Sequence, residues 1–141
     1  MPTRSPSKKI LTAVPRVMTY IRTEMRSSAR SELTVPQLRV LANINAGVTT
    51  SAELAKIIGV SPPSMCKVIE LLSKRGFIER SESSEDRRAL RLALTPKGAG
   101  FYKKTRAQVE KRLARRLGSL SAAELATLDQ ACKILIEVFK K

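Results

Sequence analysis

The chain has 141 residues, with Lys+Arg 27 against Asp+Glu 12, a formal charge of +15 and no histidine, and that length fits one domain with an accessory element and a real hydrophobic core. Without histidine the commonest general base and the commonest nitrogen ligand for transition metals are missing, which argues against most hydrolytic and metal chemistry; no cofactor is expected. The charge implies a polyanionic partner, nucleic acid or an anionic membrane surface.

The basic residues are concentrated. Residues 1–30 carry seven Lys/Arg and one Glu, and residues 96–118 carry eight against one, whereas 31–60 and 119–141 are each neutral and 61–95 has a small excess. Such clustering reads as surfaces that face a partner. No stretch approaches the roughly 20 apolar residues of a membrane span, and the apolar run Ile10 to Val14 is too short for a signal-peptide core. Two thiols, Cys66 and Cys132, are not spaced as a metal clip and suggest a reducing compartment, so a cytoplasmic protein with free thiols and no membrane partner is expected.

In chain order, residues 1–9 contain Pro2, Pro6 and small polar residues without apolar periodicity and are expected to form a disordered basic arm. Val14, Val17, Met18, Ile21 and Met25 then recur at helical spacing, and because proline is tolerated only in a first turn, Pro15 places the start of this helix near Thr12 or Ala13. Thr34 and Gln37 have capping-box spacing ahead of a helix with Leu38, Leu41 and Ile44 on its apolar stripe. Thr50 and Glu53 open a third helix through Leu54, Ala55, Ile57 and Ile58 to Gly59. Ser61 caps a fourth, whose buried face is Met65, Val68, Ile69 and Leu72.

After Gly76 the period changes from helical to alternating. Phe77 to Ser81 and Leu90, Leu92 and Leu94 read as two strands joined by the polar loop Glu82 to Arg88. Two helices complete the chain. One runs from about Pro96 to Leu117, with Tyr102, Val109, Leu113 and Leu117 along a seam. The other is capped by Ser121 and Glu124 and carries Leu125, Leu128, Cys132, Leu135 and Val138 on one side. Met18, Met25 and Met65 fall at core-like positions.

Two short helices joined by Gly59-Val60-Ser61 have the spacing of a helix-turn-helix. In that geometry the first helix braces the second, and Ser61, Pro62, Pro63 and Ser64, with Cys66 and Lys67 a turn further on, lead into a major groove that just admits a helix. Taken alone, these residues could equally cap and solvate an ordinary surface helix. The hairpin that follows, with the tip Ser81-Glu82-Ser83-Ser84-Glu85-Asp86-Arg87-Arg88, favours a winged arrangement, in which tip arginines reach a minor groove that focuses negative potential. A carboxylate such as Asp86 can hold a guanidinium through paired hydrogen bonds.

These residues resemble the MarR-type regulators of bacteria and archaea. The resemblance runs from about Val14 to Val138, and its most specific piece is Asp86-Arg87-Arg88-Ala89-Leu90-Arg91 followed by Leu94-Thr95-Pro96-Lys97-Gly98. Leu33-Thr34-Val35-Pro36-Gln37, the Leu54-Ala55 pair, and Leu72, Gly76, Phe77, Ile78 and Arg80 match in register upstream. The resemblance implies a mainly α fold with a small β-hairpin wing, divided into helical dimerisation segments at 10–30 and 96–141 and a winged helix-turn-helix at 31–95. It also implies a homodimer on a palindromic operator in double-stranded DNA, commonly a repressor, released by a small-molecule effector or by cysteine oxidation. Arg88 is then the leading candidate for minor-groove insertion, Arg87 the second and Asp86 the orienting residue, with Arg91 a phosphate contact or salt-bridge partner. Two departures stand out: Pro62 and Pro63 remove two amide donors at the start of the recognition helix, and an aromatic content of 4% weakens the case for a stacked phenolic ligand.

Cys66 and Cys132 are the redox candidates. Cys66 has only Lys67 nearby as a charge partner, and Cys132 reads as a packed small hydrophobe. The run Lys103, Lys104, Arg106, Lys111, Arg112, Arg115 and Arg116 is either a solvated face or a surface that follows DNA flanks, part of it pairing across a dimer. From another class, the charge also suits a non-specific architectural DNA-binding protein, or a winged helix that contacts RNA or protein. No Gly-rich phosphate loop or activated nucleophile supports an enzyme.

Overall fold

A computed structural model of the chain describes residues 2–29, 32–82 and 90–140. The chain divides into two units, Met1–Val109 and Glu110–Lys141.

In the first unit, α1 spans Arg4–Ala29. It begins well before Thr12, so Arg4 to Lys9, expected as a disordered arm, are helical. Pro15 lies inside it and not in its first turn. Small polar residues that read as disorder bond back along the helix instead: the Ser7 and Thr12 hydroxyls donate to the carbonyls of Thr3 and Lys8, and the Thr19 hydroxyl to that of Pro15. Pro15 removes only the bond to the carbonyl of Leu11, on a turn where Leu11 is 76% exposed and water can replace the lost donor. Val14, Val17 and Met18 are exposed as well.

Helix α2, Val35–Asn45, opens with the expected capping box. The Gln37 amide donates to Thr34 Oγ1 at 3.3 Å and the Thr34 amide to Gln37 Oε1 at 3.0 Å. Helix α3, Ser51–Ile58, is capped by Thr50 and ends at Gly59, whose φ of 81° is the left-handed conformation glycine adopts without a Cβ penalty. Helix α4, Pro62–Lys74, is capped by Ser61 with both prolines in its first turn. Strands β1, Ile78–Glu82, and β2, Leu90–Leu94, pair antiparallel with Ile78 opposite Leu94 and Arg80 opposite Leu92. The Leu92 amide donates to the Thr49 carbonyl at 2.8 Å, which ties the hairpin to the turn ahead of α3.

One apolar cluster holds these elements together. Leu38 and Leu41 of α2, Leu54 of α3, Met65, Ile69 and Leu72 of α4, Phe77 just ahead of the hairpin, and Ile78 and Leu92 within it are all buried, each such side chain contributing about 1.5–3 kcal/mol. Helix α5, Pro96–Arg116, leaves β2 through Thr95 and buries Gly98, Thr105 and Val109.

In the second unit the end of α5 gives way to a 3-10 turn, Leu117–Ser119, and to α6, Ala122–Val138, again opened by a capping box between Ser121 and Glu124. The expected stripe lies at helical spacing, but α6 buries none of its residues. Cys132, read from the sequence as a packed hydrophobe, is exposed. The spacing marks an apolar face without supplying a surface to cover it.

Candidate nucleic-acid interface

The inner face of α4 is fixed in the core by Met65, Ile69 and Leu72. That leaves the opposite side of its first two turns, Ser61, Pro62, Pro63, Ser64, Cys66 and Lys67, exposed. The alternation follows from the 3.6-residue repeat: positions 65, 69 and 72 point inward, and 64 and 67 cannot. Helix α3 packs against α4 and supplies the brace. The reading positions expected from sequence thus share one outward surface at the leading end of the second helix.

Chemically that end is short of amide donors. Two of its leading positions are prolines, and the Ser64 amide is taken by Ser61 Oγ at 3.3 Å. The Ser61 hydroxyl in turn donates to Ser64 Oγ at 2.9 Å. The surface therefore offers two pyrrolidine rings, the Ser64 hydroxyl and, a turn on, the Lys67 ammonium. Cys66 Sγ lies 3.9 Å from Ser51 Oγ at the start of α3.

On the wing, Arg91 is exposed and sits opposite Ser81 on the outer face of the hairpin, away from Ile78 and Leu92. Asp86, Arg87 and Arg88, the expected wing-tip residues, lie outside the described residues. Arg80 of β1 is exposed and opposite Leu92.

Sequence reasoning missed a polar cluster at the other end of α4. Arg75 Nη1 donates to the Glu32 carbonyl at 2.6 Å, and its Nη2 lies 3.3 Å from Glu32 Oε2. Lys97 Nζ donates to the Arg75 carbonyl at 2.7 Å. Both cations lie over the ring of Phe77, at 5.3 and 4.6 Å from its centroid. The string Leu94-Thr95-Pro96-Lys97-Gly98 was visible as a motif, but its partners, twenty or so residues upstream, were not.

Among the described residues no group of three or more His, Cys, Asp or Glu side chains could hold a metal, and no helix is long and apolar enough to cross a membrane.

A family model described as MarR family matches residues 31–89, the segment from the approach to α2 through the wing. The multiple antibiotic resistance protein MarR of Salmonella typhimurium is 31% identical over 107 residues, which is 74% of this chain and 74% of that protein. The fold is similar to the crystal structure of RV1404 from Mycobacterium tuberculosis, with a TM-score of 0.77 at 22% identity over 98% of this chain and 94% of the other. It is also similar to a mutant MarR from E. coli complexed with operator DNA, with a TM-score of 0.63 at 24% identity over 91% and 94%. A mainly helical chain with a two-stranded antiparallel wing, matched in sequence and in fold, belongs to the MarR family of winged-helix transcription regulators, which are not enzymes.

Proposed function

We propose that the chain is a sequence-specific DNA-binding regulator that acts as a homodimer on a palindromic operator, most simply as a repressor that blocks a promoter. The observation that carries this reading is the two-sided character of α4: one face locked into the core and the other, from Ser61 to Lys67, exposed beside an antiparallel hairpin. The complex of the E. coli relative with operator DNA supports it. The apolar rings of Pro62 and Pro63 suit thymine methyl groups, and Ser64 and Lys67 supply donors for base edges and phosphate. Arg88, with Arg87 and Asp86, is assigned the minor groove on the strength of the sequence, and Arg91 a phosphate.

Apolar side chains exposed on α1 (Leu11, Val14, Val17, Met18) and, separately, on α6 and its C-cap (Ile134, Ile136, Val138, Phe139) favour the terminal segments, 10–30 and 96–141, as the dimerisation region. Release by a small ligand or by oxidation belongs to the same reading. The exposed thiol of Cys66, on the reading helix itself, is the group whose oxidation would disturb docking. The site of action is the cytoplasm.

The decisive experiment compares binding to a genomic palindrome with binding to shuffled DNA at about 150 mM salt, where specific sites are held at least about a thousandfold tighter. A ratio near one would favour the architectural reading, for which the net charge of +15 is the supporting observation. Arg88→Ala is expected to weaken operator binding by about 1–3 kcal/mol; unchanged affinity would remove it from the groove.

A further inference from the structure

The C-terminal end of α4 is joined to the start of α5 more closely than a strand-to-helix connection requires. Gly76, with φ 82°, turns the chain out of α4. The Phe77 amide bonds back to the Leu72 carbonyl at 2.9 Å and the Gly76 amide to that of Ser73 at 3.1 Å, a Schellman closure. The next three carbonyls are then all claimed by the opening of α5. That of Arg75 accepts from Lys97 Nζ, that of Gly76 from the Thr95 hydroxyl, and that of Phe77 from the Thr95 amide at 3.1 Å. Thr95 Oγ1 also accepts from the Gly98 amide at 3.0 Å. A Cβ on Gly98 would stand 2.0 Å from the Phe77 carbonyl oxygen, so the close approach of α5 to the turn that follows α4 depends on glycine.

Two like charges on one ring need a reason. The Phe77 ring is fully buried and meets Phe101 edge-on at 5.4 Å, while Lys97 and Arg75 lie over it. The ring's π electrons, the negative end of the α4 dipole and the Glu32 carboxylate all favour cations there. Through Glu32 the same cluster reaches the segment that leads into α2.

We propose that Arg75 and Lys97 are positioning residues for DNA recognition: meeting over the Phe77 ring, Lys97 ties the end of the reading helix α4 to α5 and Arg75 ties it to the segment ahead of α2, and together they fix its attitude. The inference rests on the DNA-binding reading for its consequence, but its mechanical part is separately measurable. Neither side chain need touch DNA for its loss to misplace Ser64 and Lys67.

The test uses the full chain. With Cys132→Ser, the native thiol of Cys66 on α4 and a second one from Lys104→Cys on α5 take a pair of spin labels, diluted with unlabelled protein so that distances within one chain are read. Lys97→Met, which keeps the aliphatic stem, and Arg75→Met are expected to broaden the distance distribution. In otherwise native chains they should weaken operator binding about tenfold, the equivalent of one charge-assisted contact. The slope of log affinity against log salt should stay unchanged, and Lys97→Arg should restore both width and affinity. An unbroadened distribution overturns the proposal. So does a salt slope reduced by about 0.9, because that is the mark of a lost phosphate contact. Should the methionine variants fold poorly, Arg75→Lys gives the same readout, expected to broaden the distribution because it loses the forked contact with Glu32, while Lys97→Arg is expected to keep the native width. If the unsubstituted protein binds operator and shuffled DNA alike, the DNA-binding reading fails, while the label distances still decide whether α4 is held.

Discussion

Helices α4 and α6 have 13 and 17 residues, each opened by a serine cap and each carrying apolar residues at three- and four-residue spacing. Yet α4 buries Met65, Ile69 and Leu72, and α6 buries nothing. In the first case a brace helix, a second helix and a hairpin converge on the apolar stripe; in the second, Leu125, Leu128 and Val138 stay 37–66% exposed. Periodicity reveals that a helix has an apolar face. Only the surroundings say what it is for, and the exposed face of α6 is the one proposed above for dimerisation.

Substitutions put that contrast to the test. The largest effect is expected in the covered region, where Phe77→Ala removes a fully buried ring; urea unfolding should show a loss of about 3–5 kcal/mol. Next is Leu128→Lys on α6, at a position 37% exposed within the chain. Its secondary structure should survive in circular dichroism while sedimentation shows dimer dissociation, association losing at least about 1.5–3 kcal/mol per leucine uncovered. A dimer unaffected by it would mean that this face of α6 is not the interface. Smaller and deliberately matched are Ser61→Ala and Ser121→Ala, which delete the same kind of cap from the covered and the uncovered helix. Each should cost about 1 kcal/mol, and a large inequality in thermal unfolding would show that caps depend on tertiary cover. Smallest is Lys133→Ala, which breaks an ion pair of 3.1 Å with Asp129 between side chains more than two-thirds exposed; unfolding should move by less than about 0.5 kcal/mol.

Much of the fold was legible because its signals are local. Thr34, Thr50, Ser61 and Ser121 each cap the helix expected of them, and the switch from helical to alternating spacing after Gly76 marks the hairpin. The start of α1 is not legible, because Pro15 marks a boundary by local rules yet lies inside the helix, on an exposed turn that tolerates it. The exposure of Cys132 within the chain is not legible, because a stripe shows that an apolar face exists and not what covers it. At the site, the outward set from Ser61 to Lys67 follows from a cap and a repeat. The Glu32, Arg75 and Lys97 cluster does not, because it joins residues 22 and 43 positions apart whose meeting depends on the whole fold.

The glycine at 98 and the carbonyls it approaches also bear on how reading heads are exchanged between relatives. A transplanted recognition helix would arrive with its own closing turn, and an acceptor whose long helix carried a side chain in place of Gly98 would push that turn aside. Grafts that move residues 61–98 as one cassette should therefore keep their aim, whereas grafts cut at the end of α4 should read DNA with a loosened grip.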